Sequence, residues 1–560
     1  MNKKAILLIL ASIMMSCGCE KLSFNRHFDG SLTDTAVWSN PDYAEGVLLN
    51  AYKEMPETNM HYGDDFLDVA TDNALSNSNS GIAGLVRGEW EPEANPIGRW
   101  SEWYSQIRNV NLWIENGQDA PYKLSDKEYN AKYVSKLLGE AYFLRAWYYF
   151  NLLQVYGGYV GDQVMGVPYF KTVAAQDSPE VSPRLSYMEC VENIVADCDS
   201  AAAHLPKQYT DPDGIFSKTL KGRATSPAAL ALKSRVLLYA ASERFNPEND
   251  AERWSIAAQA AYDAIMACGP WALLKHSAAF YQDFGHQELI MARMNIESNK
   301  LEKLNRIPSE NGNGRTAPSQ NLVDAFPDKD GFPIAESSIY DPENPYADRD
   351  PRLGYFILCN GNKSNSKTVM SYLGGSDAPD KAERTSRTAY FLKKWLNLSL
   401  SNDSGNESRG NHVYPLFRKT ELFLNFAEAA NHVSGPASPC LETGKSALDA
   451  INVIRGKYDM KTDYASALAV DGEEAFAAFI ENERRIELCF EDHRFFDVRR
   501  WNYPLERINE PIKGVEITQT ISKLLYEYKV IETPSYRENM YSAPIPYTEV
   551  NRGLLQNNGW

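Results

Sequence analysis

Basic residues are scarce in this sequence relative to acidic ones. Lys and Arg together number 57, against 74 Asp and Glu, so the 560-residue chain carries a formal charge of −17 at pH 7. General nucleic-acid binding needs a basic footprint, and this balance argues against it. Hydrophobic residues make up 43 % of the chain and aromatic residues 12 %, so a sizeable core is possible and global disorder is excluded.

Motifs for metal binding and catalysis are also missing. The six cysteines beyond residue 19 show no CxxC spacing and no paired histidine, so we expect no metal site and no cofactor. Cys190 and Cys198 lie two turns apart on one predicted helix, which is beyond the reach of a disulfide. No P-loop and no GxSxG motif occurs. We therefore expect a protein that is not an enzyme.

Long apolar runs are confined to the N-terminus. Two lysines precede an apolar stretch over 5–15, followed by small residues and cysteines. We predict that residues 1–18 are a lipoprotein signal peptide, cleaved before Cys17 or before Cys19. Cys17 fits a lipobox better, with Ser at −1 and Met at −3, and a plain secretion signal is the remaining alternative. Since no later run of about 18 apolar residues follows, the mature protein is predicted to be anchored rather than membrane-spanning.

Helical periodicity dominates the first half of the chain. Apolar residues recur at helical spacing, and Gly, Pro and Asn separate the segments. We predict amphipathic helices over 41–55, 103–117, 131–158, 186–205, 226–245 and 253–269.

The second half is more mixed. Turn and loop residues are frequent between 270 and 411, and the C-terminal stretch 503–560 is predicted to be irregular. Short strand candidates are 288–293, 352–358 and 388–395. Helices are predicted again over 416–433, 444–458 and 472–491.

The stretch ERRIELCFEDHRFFDVRRW (483–501) combines many charged residues with large apolar ones. On a helix, Glu483 falls on the same stripe as Phe479 and Ile486. A carboxylate on an apolar stripe needs a partner, because an isolated buried charge is very costly. The arginines that follow, Arg494 among them, are candidate partners.

The predicted helix over 131–158 repeats this device. Arg145 lies on its apolar stripe, and Glu428 on another predicted helix is a possible partner. We interpret Arg145, Glu428, Glu483 and Arg494 as a structural ion network that locks helices together. Acid–base catalysis by Glu483 or Glu487 with His493 is the alternative.

Several of these segments resemble the SusD/RagB family, whose members are surface lipoproteins of Bacteroidetes. The resemblance runs over essentially the whole chain, with the motifs in family order. The segments that carry it are RAWYYFNLLQVYGGYV (145–160), RDPRL (349–353), PLFRKTELFLNFAEAAN (415–431), ERRIELCFEDHRFFDVRRW (483–501) and APIPYTEVNRGLLQNNGW (543–560).

The resemblance implies a mainly α fold. It implies four tetratricopeptide-like helix pairs and a loop-rich C-terminal portion with few short strands. Residues 20–270 would form the N-terminal helical region, and 271–560 the C-terminal region packed on it. It further implies a non-catalytic protein tethered to the outer membrane by a lipid and acting as a lid on a SusC-like TonB-dependent β-barrel.

The resemblance also implies where a ligand would bind. The first expected ligand-binding segment is 57–103. Aromatic rings stack on sugar rings, and charged or amide groups hydrogen-bond hydroxyls. Trp90 is the leading candidate, with the alternative that its ring packs the loop onto the helices. The other candidates in this segment are Tyr62, Asp65, Asp72, Arg99 and Trp100.

The second expected segment is 292–320. Starch-binding members of the family carry stacking aromatics there, whereas this chain has none and offers Lys303, Arg306 and Asn311 instead. One interpretation is a ligand with charged groups, such as an acidic glycan, bound by basic side chains. The alternative is a solvated loop.

Three functions remain open from the sequence. The first is a lipoprotein that captures oligosaccharides for a SusC-like transporter. The second is a peptide- or protein-binding lipoprotein of the RagB type. The third is an assembly scaffold built on helical grooves, without a small ligand.

Overall fold

The computed structural model describes residues 34–122, 125–173, 182–381 and 384–560. The predicted signal peptide, with Cys17 and Cys19, lies outside the described residues. Helices supply most of the regular structure, which confirms the expected mainly α fold. In chain order the helices are α1 (Asp34–Trp38), α2 (Pro41–Lys53), α3 (Gly81–Gly84), α4 (Trp100–Asn116), α5 (Lys127–Tyr156), α6 (Tyr187–His204), α7 (Ser226–Ala241), α8 (Ala251–Ala267), α9 (Lys300–Asn305), α10 (Gln320–Ala325), α11 (Pro351–Phe356), α12 (Lys419–Ser434), α13 (Ala447–Gly456), α14 (Asp463–Asp471), α15 (Glu473–Glu487), α16 (Arg494–Arg500), α17 (Leu505–Ile508) and α18 (Tyr547–Asn551).

Eight of these helices form the body of the molecule as four pairs. The pairs are α2 with α4, α5 with α6, α7 with α8, and α12 with α13. Each pair also packs on the next, through contacts of α4 with α5, α6 with α7, and α8 with α12. This order of stacked pairs is the architecture of helical repeat proteins, and it matches the four pairs that the resemblance implied.

Local sequence decides where these helices begin. Asn40 caps α2 by accepting from the Asp42 N–H at 2.9 Å, and Pro41 occupies the first helical position. Ser186 and Glu189 form a capping box at the start of α6. Each cap satisfies N–H groups that the helix itself leaves unpaired.

Ten short strands occur in the described part of the chain, all in antiparallel pairs. The pairs are β1 with β5, β2 with β3, β4 with β8, β6 with β7, and β9 with β10. Their bounds are β1 (Ala74–Ser76), β2 (Gly158–Val160), β3 (Gln163–Met165), β4 (Leu289–Ser298), β5 (Thr316–Pro318), β6 (Ile357–Leu358), β7 (Phe391–Leu392), β8 (Gly410–Arg418), β9 (Ile512–Gln519) and β10 (Leu524–Glu532).

Two of the predictions for the C-terminal half were wrong. The candidate strand 352–358 is mostly helix α11, because the Asp350 carboxylate accepts from the Arg352 N–H and Pro351 starts the helix. The supposedly irregular stretch 503–560 contains the β9–β10 hairpin. In β9, Val515 and Ile517 are buried, Glu516 between them is half-buried, and Lys513 and Thr518 are exposed, which approximates the period-two pattern of a half-buried strand.

The predicted boundary near residue 270 does not separate two cores. One apolar cluster draws residues from both predicted regions. Helix α8, before the boundary, packs on α12, after it. The division into residues 20–270 and 271–560 stays a prediction, and the shared core means that the two regions are not separate folding units.

The charged stretch at 483–501 is a buried ion network. Glu483 is 1 % exposed and accepts from the Arg352 guanidinium at 2.9 and 3.2 Å and from Arg455 Nη1 at 2.9 Å. Burial opposes ionisation of Glu483, but Arg352 and Arg455 hold its pKa below the usual range. His493 is half-buried, and its pKa lies well below 6.5 because of desolvation and then the Arg484 charge. These contacts join helices α11, α13 and α15.

The partners within that network differ from those predicted. Arg145 pairs with Asp197 at 2.7 Å, because α6 rather than α12 faces it. Glu428 instead binds Arg500, and the arginines after residue 493 do not reach Glu483. Arg494 pairs with Asp72 at 2.9 Å. Residue types predicted burial and pairing, but only the packing of helices selected each partner.

The described cysteines behave as small core residues. Cys190 and Cys198 are buried on α6 and form no disulfide, as expected. None of the described helices is both long enough and apolar enough to cross a membrane.

Candidate functional site

An open, polar cleft lies beside the short β1–β5 pair. Its volume is about 660 Å³. The lining is made of hydroxyl, amide, guanidinium and carboxylate groups, without an aromatic ring. The lining residues are Ser76, Asn77, Ser78, Asn79, Arg87, Glu89, Arg387 and Glu532. We call this site the Arg87–Arg387 cleft.

One wall of the cleft is the pair formed by Arg87 and Glu89. Arg87 Nε lies 2.8 Å from Glu89 Oε1, and Nη2 lies 3.0 Å from Oε2. The Glu89 carboxylate raises the pKa of Arg87, and hydrogen bonds from Arg87 lower the pKa of Glu89. Gly88 between them has φ 75°, so the chain turns sharply enough for the two side chains to meet. The pair presents both charges side by side at the mouth of the cleft.

The opposite wall comes from distant parts of the chain. Arg387 Nη2 lies 2.7 Å from Glu532 Oε2, at the end of β10. The side chains of Arg387 and Glu532 are 32 % and 18 % exposed, so solvent and a ligand can reach them. The two arginine–glutamate pairs together leave the cleft electrically balanced.

Buried groups hold the floor of the cleft. Asp65 is fully buried and accepts from Ser76 Oγ at 2.9 Å, from Ser80 Oγ, and from Arg315 Nε at 2.9 Å. The Asn77 amide donates to the Asn313 carbonyl at 2.7 Å and thereby ties the floor to the neighbouring loop. Asp65 was predicted to contact a ligand, but its place beneath the cleft makes it a positioning residue.

Such a lining suits a ligand rich in hydroxyl groups. Guanidinium and amide N–H groups donate to hydroxyl oxygens, and carboxylates accept from hydroxyl hydrogens. A neutral, hydrogen-bonding surface of this kind recognises polar ligands by orientation rather than by net charge.

The aromatic residues predicted to bind a ligand are buried. Trp90 is 1 % exposed, donates its indole N–H to Asn95 Oδ1 at 3.1 Å, and packs on Phe495 and Trp560. Neither face of the Trp90 ring is open, so the structure shows the alternative in which this ring packs the loop. Tyr62 and Trp100 are also buried in the main apolar cluster, so the prediction that their rings stack on a ligand was wrong as well.

The predicted charged contacts of the first segment are engaged within the protein. Asp72 accepts from Arg494 and forms an ion pair with Arg485 at 2.9 Å, and these arginines hold the pKa of its carboxyl well below the usual range. Arg99 donates to the His61 carbonyl at 3.0 Å. Neither Asp72 nor Arg99 lines the Arg87–Arg387 cleft.

The second predicted segment is not a basic binding surface. Arg306 is 2 % exposed and donates to the carbonyls of Leu398 and Leu400, so it is unavailable to a ligand. Lys303 pairs with Glu407 at 2.9 Å, and Asn311 donates to Asp403 at 2.8 Å. Both remain partly exposed, so a ligand role for Lys303 and Asn311 stays a prediction.

Sequence reasoning missed most of the cleft lining. Arg87 and Ser76 lie in the segment expected to bind a ligand, but they were not among the candidates named there. Arg387 and Glu532 lie far from that segment, and no local pattern marks them. In the described part of the chain, no group of three or more His, Cys, Asp or Glu side chains could hold a metal ion.

Stacked helix pairs that carry an open polar cleft are typical of helical-repeat proteins that bind ligands. Comparison with protein-family models identifies the family. The model described as "SusD family" matches residues 280–560, half of the chain, and the model described as "Starch-binding associating with outer membrane" matches 33–238. The chain belongs to the SusD family, which confirms the resemblance noted in its sequence.

Relatives extend this likeness over nearly the full length. The SusD-like protein P38 of Formosa agariphila is 24 % identical over 561 residues, covering 96 % of this chain and 99 % of that protein. A second protein from the same organism, SusD-like protein P25, is 22 % identical and covers 82 % of this chain and 79 % of its own length.

Solved structures show the same fold. A SusD-like protein from Bacteroides fragilis superposes with a TM-score of 0.74 at 24 % identity, over 94 % of this chain and 99 % of that one. A SusD-like carbohydrate-binding protein from the same species gives 0.70 at 22 % identity, over 92 % and 99 %. A laminarin-binding SusD-like protein gives 0.60 at 17 % identity, over 93 % and 100 %. Membership of this family supports a binding protein rather than an enzyme.

Proposed function

We propose that this protein is a cell-surface lipoprotein that captures oligosaccharides and delivers them to a SusC-like TonB-dependent transporter. The observation that carries the proposal is the Arg87–Arg387 cleft, an open polar site on a SusD-family fold. Relatives of the same fold include proteins described as carbohydrate-binding and laminarin-binding, and one matching family model is named for starch binding at the outer membrane.

The cleft favours a hydroxyl-rich ligand that needs little aromatic stacking. Its two arginine–glutamate pairs supply donors and acceptors on opposite walls, and Asn77, Ser78 and Asn79 supply smaller polar groups between them. Since each arginine already has a carboxylate partner, a neutral oligosaccharide matches the cleft better than a strongly acidic one.

The test is calorimetry of the soluble protein, starting after Cys19, with neutral glycans, acidic glycans and peptides. We expect a neutral oligosaccharide to bind, and Arg87→Ala or Arg387→Ala to weaken its affinity by about tenfold or more, because each removes hydrogen bonds from a charged donor. Arg253→Ala is the matched control, since Arg253 is also a half-exposed arginine near a carboxylate but lies on α8.

Two results would contradict capture at this cleft. One is unchanged glycan affinity in both arginine variants, which would show that the glycan binds at another surface of the protein. The other is binding of peptides but of no sugar, which would support the RagB-type function instead.

Delivery to a transporter needs its own measurement. We expect the lipidated protein to co-purify with a SusC-like barrel from its native membrane and to lose glycan uptake when the barrel is deleted. A protein recovered alone, with uptake independent of any barrel, would contradict this part of the proposal.

A further inference from the structure

A second cavity, of about 300 Å³, lies where the C-terminal segment meets the ends of the repeat helices. Its walls come from β2, the loop after α7, the loop after α16 and the last residues of the chain. The residues that matter for the argument are Tyr159, Arg244, Asn502, Glu538, Asn539 and Asn558. We call it the Arg244 pocket, and it shares no lining residue with the Arg87–Arg387 cleft.

Arg244 is a buried cation without a carboxylate partner. It is 9 % exposed, and its guanidinium makes one side-chain hydrogen bond, from Nη1 to Asn502 Oδ1 at 3.2 Å. Its Nε is buried with no hydrogen-bond partner. Within the described residues no carboxylate oxygen lies within 4.0 Å of it, although Glu538 lines the same pocket farther away. Leaving a buried charged donor unsatisfied is costly, so such groups are rare unless a ligand completes them.

Several other buried arginines, unlike Arg244, pair with carboxylates. Arg145, Arg352 and Arg500 each face at least one carboxylate at 2.9 Å or less, and those carboxylates raise their pKa values against the effect of burial. Burial instead lowers the pKa of Arg244, because its charge is not compensated.

The surroundings of Arg244 add to the positive potential. Arg184 donates to Asn557 Oδ1, which lines the pocket, and Arg499 donates to the Met540 carbonyl; neither has a carboxylate partner among the described residues. Burial, reinforced by the nearby Arg244 charge, lowers the pKa of Arg499 to about 10. Arg244 therefore lines a pocket that contains one carboxylate, Glu538, in a chain whose net charge is −17.

We propose that the Arg244 pocket binds a carboxylate-bearing sugar. The carboxylate would accept from the free edge of the Arg244 guanidinium, which is suited to bidentate binding. The Asn502 and Asn539 amides at the rim would hydrogen-bond the hydroxyl groups. The guanidinium lies over the Tyr541 ring at 4.4 Å, which fixes its orientation, and the Arg244 backbone carbonyl accepts from Tyr159 O–H at 3.0 Å. The proposal does not depend on what the Arg87–Arg387 cleft binds.

The first test compares D-glucuronate with D-glucose, titrated into the soluble mature protein by calorimetry. These sugars differ in one carboxylate, so we expect glucuronate to bind about tenfold or more tightly than glucose. Arg244→Gln should abolish that difference, whereas the matched control Arg253→Gln should retain it. Equal affinities for the two sugars, no glucuronate binding, or an unaffected Arg244→Gln would each overturn the proposal.

A second variant guards against misfolding of Arg244→Gln. Asn502→Asp keeps Arg244 and places a carboxylate where Oδ1 now accepts from it. We expect this internal carboxylate to neutralise the guanidinium, to raise the melting temperature and to abolish glucuronate binding. Retained glucuronate binding in a folded Asn502→Asp protein would overturn the proposal independently of the first variant.

Discussion

Some ionisable side chains of this protein are largely buried without an oppositely charged partner. Arg244 is one example, and the carboxyl of Asp492 is another. Asp492 accepts weakly from the Leu67 N–H and from Tyr414 O–H, both at 3.3 Å, and no arginine or lysine pairs with it among the described residues. Burial, with a smaller contribution from the Asp68 charge, raises the pKa of Asp492 to about 8.

His61 does not neutralise Asp492 at neutral pH. Its Nδ1 lies 3.7 Å from Asp492 Oδ2, but burial lowers the pKa of His61 to about 4. An uncharged imidazole therefore faces a protonated carboxyl between pH 6.5 and 8. The folded state keeps a proton on Asp492 that the unfolded chain releases.

We expect Asp492→Asn to remove a pH-dependent loss of stability. Since the folded pKa of Asp492 is raised, the unfolding free energy of the wild type should fall as pH rises from about 4 to about 8, by at most about 1.4 kcal/mol per pH unit. His61 opposes this slope below pH 6.5, so the window from 6.5 to 8 isolates Asp492. Urea unfolding of wild type and variant across that window measures the difference. Asp213→Asn, at an exposed carboxylate, is the control, and parallel pH profiles for wild type and Asp492→Asn would refute the assignment.

Short turns, rather than the long helices, shape the candidate site. The cleft wall depends on the turn at Gly88, whose φ of 75° is unfavourable for other residues. A Cβ added there would meet the Ser535 carbonyl oxygen at 2.8 Å. The turn is therefore fixed both by its own conformation and by the C-terminal segment behind it.

Gly88→Ala should lower the unfolding free energy by about 2 kcal/mol or more, because conformational strain and a backbone clash add together. Gly214→Ala is the matched control: its φ is 83°, and nothing lies within 4 Å of an added Cβ, so only the strain of about 1–2 kcal/mol applies. Chemical denaturation compares the two variants. Equal losses would show that the Ser535 contact is not limiting.

Ion pairs join elements that are distant in sequence. The Arg352 side chain on α11 binds Glu483 on α15, 131 positions away, and Arg500 on α16 binds Glu428 on α12. The second pair joins α16 to α12 of the repeat array, and breaking either pair would leave an unpaired charge inside.

At the scale of the whole molecule, the structure is one body made from both predicted regions. The described chain begins at Asp34, so any anchor must act through the preceding segment.

We expect Cys17→Ser to release the protein from the membrane and to abolish labelling with a fatty-acid probe in a Bacteroidetes host. Cys19→Ser should leave both unchanged, because the lipobox fits Cys17 better. Membrane fractionation and lipid labelling measure the two effects. The reverse pattern would assign the lipid to Cys19, and unchanged membrane association in both variants would contradict the lipoprotein prediction.

The sequence by itself determined most of the long helices and the family. Periodic apolar residues lie only a few positions apart, so they can be read along the chain. The sequence also predicted that Glu483 would be buried and paired, because a carboxylate on an apolar helix stripe is costly to bury without a partner.

The tertiary structure alone decided which charges meet and where a ligand could bind. Asp72 pairs with Arg494, Arg145 pairs with Asp197, and the Trp90 ring is buried. An ion pair needs two groups within about 4 Å, and many carboxylates in this acidic chain could serve each arginine. Only the packing of distant elements selects among them, so the pairing of Arg387 with Glu532, and the lack of a carboxylate partner for Arg244 among the described residues, were beyond prediction from local patterns.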